Sequence, residues 1–282
     1  MIPQKFLKFF TLIFLSSFLF SIETTSDFRG KVTDNFGNSL QGANVTITNV
    51  GTNISSSTTT NETGNFIISN LSVGGPYTIL ITSSVGSQRY EDVFLNLGQT
   101  LALNVTLRDF EQLVVTGAQV SQAQVAIGPN TIFNEIDLET TPSIERDIKE
   151  VLLSDPRFTI NPDNRRALSC NGSHPRLNGF TLDGVALTDG FGLNSNGYPT
   201  TRMPFSYDAV QQVAVEFAPF DVQYGNFQAC AINAVTKSGT NEISGNAFYE
   251  YAGDELAGNK YGDNTFTPVP YEESKVGFTL GG

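Results

Sequence analysis

The stretch GKVTDNFGNSLQGANVTI, Gly30 to Ile47, sets two short alternating runs around a turn. Asp34-Asn35-Phe36-Gly37 supplies that turn, because Asn and Gly adopt positive φ at little cost. Beyond it, Val45, Ile47 and Val50 offer an imperfect inward face. The pattern extends on both sides, from Phe28 to Leu107. Asn61-Glu62-Thr63-Gly64 repeats the turn chemistry, Phe66 and Ile68 fall on one side of their strand with Ile67 on the other, and TILITSS and LALNVTL close the series. Short strands at short, regular spacing predict a small β-sandwich.

The bulk properties agree with mostly β structure. The chain has 282 residues, enough for more than one core, and 16% charged residues, 26 glycines and no tryptophan argue against a helical bundle. At its start, MIPQKFLKFFTLIFLSSFLFS places Lys5 and Lys8 before an apolar run from Phe9 to Phe20 and then the small Ser21. This is the layout of a secretory signal peptide, residues 1–21, with the mature chain beginning near Ile22. The run falls short of the about 20 residues a spanning helix needs. Its removal takes two lysines and no acids, so the net charge moves from −12 to −14. So acidic a chain is unsuited to nucleic-acid backbones and suits an extracytoplasmic setting. Oxidation is permitted there, and the two cysteines, Cys170 and Cys230, admit either a disulfide or two unpaired buried thiols.

After the sandwich, RDFEQLVVTGAQVSQAQVAIGPNT is a connector with one strand-like octet, EQLVVTGA from Glu111 to Ala118, that has no obvious neighbour to pair with. By itself the octet reads as a linker or as the last strand of the sandwich. SIERDIKEVLLSDPRF then offers Ser143 as N-cap and a stripe of Ile144, Ile148, Val151 and Leu152, which predicts a helix from about Ser143 to Leu153, ended before Pro156. From Phe158 to about Thr240 the chain reads as a mixed α/β unit: Leu182-Asp183-Gly184-Val185 is a turn after a strand, and Val213, Val215 and Phe217 alternate like a half-buried strand.

Through GKVTDNFGNSLQGANVTI, TNETGNFIISNL and GPYTILITSSVG, the first block resembles the carboxypeptidase regulatory-like domain. Such domains are folding and accessory binding modules without catalytic zinc, and this chain has one histidine and no His-Glu-x-x-His. The ordered series of signal peptide, sandwich, EQLVVTGA, RDIKEVLLSDPRF, RLNGFTLDGV, TDGFGLNSNGYP, APFDVQYGNF and NAVTKSGTNEISGNAFYEY resembles the start of a TonB-dependent outer-membrane receptor of the Oar-like subgroup. That resemblance implies a mainly β chain with an α+β plug: sandwich 22–108, TonB box and linker 109–130, mixed α/β plug 131–243 and the first strands of an incomplete transmembrane β-barrel, 244–282. It assigns Glu111, Gln112, Leu113, Val114, Val115, Thr116 and Gly117 to the TonB box. An extended segment of this kind adds as a strand to another protein's sheet edge, here that of periplasmic TonB, which delivers force to a membrane lacking its own energy source. Where relatives tend to carry a glycine pair this chain has Ala229-Cys230, and the resemblance brings Cys170 and Cys230 together in the plug as a disulfide hypothesis.

SGNAFYEYA alternates Ala247, Tyr249 and Tyr251 against Asn246 and Glu250, with Phe248 as an exception; SKVGFTLGG alternates Val276, Phe278 and Leu280 against Lys275, Gly277 and Thr279. Apolar-out, polar-in alternation is the pattern of transmembrane strands facing lipid. Residues 245–282 hold about two such strands at about 9–11 residues each, against about 22 in plugged transporters, so a fragment or truncated product is expected. Enzymatic readings find little support. Asp183 and Asp189 sit in turn sequences, His174 is alone, DGFGLNSNG lacks EF-hand spacing, and NAVTKSGTN lacks the Walker A glycines, so no catalytic residue, metal or cofactor is assigned. Candidate contacts to an unidentified small-molecule, glycan or peptide ligand are Arg176, Asn178, Asp189, Asn194, Asn196 and Tyr198. The competing reading is a secreted or surface adhesion protein, binding carbohydrate through the sandwich.

Overall fold

The computed structural model of the chain describes residues 24–108, 112–116, 124–126, 128–143, 145–161, 167–189, 197–198, 200, 202–217 and 227–282. The expected signal peptide lies outside them, as do Glu111, Gly117, Ile144, Asn194 and Asn196. The chain divides into two compact units, Met1–Lys237 and Ser238–Gly282.

In the first unit, seven strands follow one another: β1 (Thr25–Thr33), β2 (Asn44–Asn49), β3 (Ser55–Thr59), β4 (Asn65–Ser72), β5 (Gly74–Thr82), β6 (Ser87–Leu95) and β7 (Gln99–Thr106). Two short strands come next, β8 (Gln112–Thr116) and β9 (Gln124–Ala126). Together they make two sheets, ordered β4-β1-β7-β9 and β3-β2-β5-β6-β8. Alternation drives the burial: Phe28, Val32, Val45, Ile47, Ile79 and Ile81 are sealed in one core, each worth roughly 1.5–3 kcal/mol relative to exposure. Phe66 and Ile68 point inward as expected, the Phe66 ring meeting Phe28 edge-on at 4.9 Å, while Ile67 points out. Val50 departs from the expected inward face. It lies beyond β2 in a turn, half exposed, its N–H donating to the Pro76 carbonyl at 3.0 Å. Both turn motifs are closed by side chains: Asp34 Oδ1 accepts the N–H groups of Phe36 and Asn38 at 2.8 Å, and Asn61 Oδ1 those of Thr63 and Asn65 at 3.0 and 2.9 Å.

The mixed block opens with β10 (Asn130–Phe133), α1 (Glu135–Thr140) and α2 (Ile148–Leu152). It continues through β11 (Phe158–Asn161), β12 (Ala167–Cys170), β13 (Gly179–Leu182), β14 (Val185–Ala186), β15 (Val210–Glu216) and β16 (Ala231–Thr236). Its sheet runs β10-β15-β16-β13-β14, with β13 parallel to β16 and β11–β12 forming a separate hairpin. Helix α1 escapes the sequence reading because Leu138 is its one buried residue and leaves no stripe; a capping box between Asn134 and Asp137 starts it instead. The helix expected from Ser143 begins later. Arg146 sits at φ 52°, Asp147 caps through the N–H of Lys149 at 3.0 Å, and the Ser143 hydroxyl accepts the Asp147 N–H and donates to Glu150 rather than capping a helix.

Strand β15 corrects a second expectation. Val213, Val215 and Phe217 face the block's own core, but Gln212, Ala214 and Glu216 on the other face are buried as well. The sandwich covers Gln212 and Ala214. Val73 and Leu97 of the sandwich pack with Ala214 and Val235 in one cluster, and the Gln212 amide accepts the buried Leu97 N–H at 2.6 Å while donating to Asn96 Oδ1 at 3.2 Å. Gly74 sits at φ 88°, a backbone conformation that favours glycine, with Gln211 Nε2 close beside it.

The second unit contains β17 (Ser244–Gly253), a small ladder of β18 (Lys260–Tyr261) and β19 (Asn264–Thr265), and β20 (Glu272–Gly281). β17 and β20 pair antiparallel without a register break from Ser244↔Gly281 to Gly253↔Glu272. Ala247↔Phe278 and Tyr249↔Val276 fall on one face; Asn246↔Thr279 and Glu250↔Lys275 fall on the other. Phe248, the exception in the alternation, is paired with Gly277 on the polar face, its ring filling the space a Cβ there would take at 2.4 Å.

Candidate functional site

Of the readings open to the octet, its described part, Gln112–Thr116, takes that of the last strand of the sandwich rather than that of a free extended segment. Gln112–Thr116 lies parallel to β6 as the outermost strand of its sheet, in the register Ser87↔Gln112 through Glu91↔Thr116. The reason is an open edge: β6 pairs with β5 on one side, and its other side would present unpaired N–H and C=O groups if nothing lay there. The next strand, β9, does the same for β7 in the other sheet, antiparallel from Gln99↔Ala126 to Leu101↔Gln124. The connector is thus attached to both sheets of the sandwich before it enters the mixed block at β10. Val114 and its neighbours gave a strand signal in the sequence, but nothing local identified β6 as the partner.

Further along, a disulfide joins Cys170 at the end of β12 to Cys230 just before β16, 60 positions apart, with both residues fully buried. Around it stand several of the candidate ligand residues. Asn178 is buried, its Nδ2 donating to the Leu168 carbonyl at 2.9 Å. Tyr198 is 3% exposed, packs edge-on against Phe180 at 5.3 Å, receives the Lys149 ammonium over its ring at 3.9 Å and donates its hydroxyl to Asp147 at 2.8 Å. Burial first, and the Asp147 carboxylate second, push its phenol well above the ordinary value. The two residues border a cavity of ≈ 20 Å³, room for about one water. Both side chains are held in the interior.

Arg176 and Asp189 are different. They line an open cleft of ≈ 450 Å³ with Ala186, Thr188, Phe227 and Gln228. That size is in the range of small-molecule sites, and the lining mixes one cation, one carboxylate and two uncharged polar side chains with Leu177, Ala186 and Phe227. The loop carrying Arg176 is set by His174, whose Nδ1 accepts the Arg176 N–H at 3.2 Å, and by Leu177, whose carbonyl accepts the N–H groups of Gln228 and Ala229. Asp183, the acid nearest in sequence, is occupied elsewhere: its carboxylate accepts the Thr236 N–H at 2.9 Å and hydroxyl at 2.8 Å, pinning the β13–β14 turn to β16.

A polar network missed by the sequence reading braces the block beside β10 and the end of β15. Arg157 donates its Nε to Asp155 at 2.9 Å and lies 3.5 Å over the Phe217 ring, while Thr131 donates to the same carboxylate at 2.8 Å. The Arg157 hydrogen bonds hold the Asp155 carboxyl far below the usual carboxylate range. Arg146 and Asp208 form a second ion pair, with Arg146 over the Tyr207 ring at 5.3 Å. Residues two apart in DPR, or 62 apart for Arg146 and Asp208, leave no periodic trace for a sequence to reveal.

Comparison with known proteins bears most directly on the sandwich. Over 94 residues, 33% of this chain, the sequence is 33% identical to the TonB-dependent transporter Oar of Myxococcus xanthus, and the chain spans 8% of that protein's length. Among solved structures, the outer membrane transporter YddB from Escherichia coli is 14% identical with a TM-score of 0.41, covering 54% of this chain and 23% of that one. The siderophore receptor PirA from Acinetobacter baumannii is 18% identical with a TM-score of 0.39, covering 54% and 22%. TM-scores this low carry no weight for function. Residues 27–108 match the carboxypeptidase regulatory-like domain family, in agreement with the motifs of the first block, and that stretch is such a domain.

Proposed function

We propose that the chain is the N-terminal part of an outer-membrane transporter that takes up its ligand with energy supplied through TonB. In this reading the mixed block is the plug, Glu111–Gly117 is the segment TonB grips, and the terminal hairpin begins the barrel. The observation that carries it is the β17–β20 hairpin. Val276, Phe278 and Leu280 are each at least 77% exposed, beside Tyr249, along strands of ten residues in unbroken register. In water such a face invites aggregation; against lipid acyl chains it is what a spanning strand needs. The likeness to Oar over 94 residues supports the same reading. The cleft of Arg176 and Asp189 is where the plug would contribute to a ligand site, for a small molecule, glycan or peptide bearing complementary charge.

The test is binding of the TonB periplasmic domain to the full chain by calorimetry. Wild type is expected to bind, and Val114→Pro, which removes a main-chain donor from the strand, to lose at least tenfold in affinity. Equal binding of the two proteins would refute strand addition at this segment.

A further inference from the structure

β8, β9 and β10 are consecutive in the chain, yet each is the outermost strand of a different sheet: β8 beside β6, β9 beside β7, and β10 beside β15. No central strand has to move for any of the three to leave. We infer that the sandwich is a clasp on the pulled segment: pairing of Gln112–Thr116 with β6 and capture of that segment by a partner's strand exclude each other. The inference rests on the reading of Glu111–Gly117 as the gripped segment.

The reason is the path of the load. While β8 is paired, tension on Leu113–Thr116 is borne by the ladder to β6 and goes into the sandwich. The chain is also held at Leu107, whose N–H donates to the Thr33 carbonyl at 2.8 Å, and again at Gln124–Ala126 on β7. With β8 peeled and β9 in place, the chain between the anchors at Leu107 and Gln124 is long enough to reach roughly 27 Å outward at about 3.4 Å per residue. A partner could then take hold without disturbing the mixed block. Only when β9 leaves β7 does tension reach Asn130 and the β10–β15 pairing at the edge of the plug sheet. Five-residue and three-residue edge pairings are at the low-stability end of any fold, which suits parts that open before the core does.

Two engineered cross-links separate the steps in the full chain. Glu91→Cys with Thr116→Cys joins register partners and locks β8 on β6; Thr100→Cys with Val125→Cys locks β9 on β7. Peptide mapping verifies each bond, and wild type treated with the same reductant controls for Cys170–Cys230. The oxidised Glu91/Thr116 pair should bind the TonB periplasmic domain at least tenfold more weakly than the same variant reduced, while the oxidised Thr100/Val125 pair should bind as wild type does. Failure of the Glu91/Thr116 bond to form in folded protein, or binding by its oxidised and reduced forms alike, would overturn the clasp and leave the gripped-segment reading standing. Loss of binding in the locked β9 protein would overturn the order of release. If neither wild type nor a synthetic Glu111–Gly117 peptide binds, the segment reading itself falls and takes the clasp with it.

Discussion

The sandwich is held by alternating apolar side chains and main-chain turns, and its ion pair among the described residues, Arg89–Glu91, lies at the surface with both side chains about two-fifths exposed. The mixed block, of similar length, is held by a disulfide, by partly buried ion pairs and by cations over rings, as well as by an apolar core. The difference follows from strand length. Strands of eight or nine residues, such as β1 and β5, carry enough alternating positions to seal a core by themselves, whereas β11, β12 and β13 have four residues each and leave long connections to be tied down by polar contacts. Such contacts are directional and stabilise one arrangement, at the risk of a larger loss when a partner is removed. The mixed block also borrows a surface: one face of β15 is dry because the sandwich sits on it.

Removing the disulfide tests this contrast most severely. Cys170→Ser with Cys230→Ser opens a closure of 60 positions, and the chain-entropy account puts the loss at about 4 kcal/mol. Denaturant unfolding should show the mixed block melting early with the sandwich transition unmoved; a common shift of both would mean the two blocks fold as one. Gln212→Leu comes next. It orphans the buried Leu97 N–H, at a cost of roughly 1–3 kcal/mol, and hydrogen exchange at Leu97 should speed up accordingly. Unchanged exchange there would show that the docking hydrogen bond is unimportant.

Asp155→Asn should cost about 1 kcal/mol at neutral pH, reduced from the value of a fully buried pair because Arg157 is partly exposed. The sign follows from the depressed carboxyl. Its stabilisation is complete above the ordinary value of 3.8 and is lost as pH falls through the lower folded value, so the variant should show a flatter acid limb and meet the wild type in strong acid. Parallel pH–stability curves would contradict this. The smallest effect is expected at α1, where Asn134→Ala removes acceptors for the N–H groups of Ile136 and Asp137 and should cost about 1 kcal/mol or less, read as increased local exchange in residues 135–140.

How far the sequence could be read follows the same division. Turn residues and alternation act within a few positions, so Asp34, Asn61, Phe66, Ile68 and the Asp183-Gly184 turn were legible, and the two-faced alternation of the terminal hairpin with them. Helix α1 was not, since a six-residue helix with one buried side chain has no period to detect. Of the candidate ligand residues, Arg176 and Asp189 reach the open cleft, while Asn178 and Tyr198 turn inward; polar residue type by itself does not distinguish a contact from a buried brace.

Sequence by itself determined the sandwich, the strand character of Leu113–Thr116 and the two-faced terminal strands, because each is written in residues that lie close together along the chain. Tertiary structure decided what those strands touch: that β8 occupies the edge of β6, that Gln212 meets Leu97 across 115 positions, and that Cys170 reaches Cys230. Backbone hydrogen-bonding groups are alike at every residue, so a free strand edge can accept many partners, and only the folded arrangement of neighbouring edges selects one.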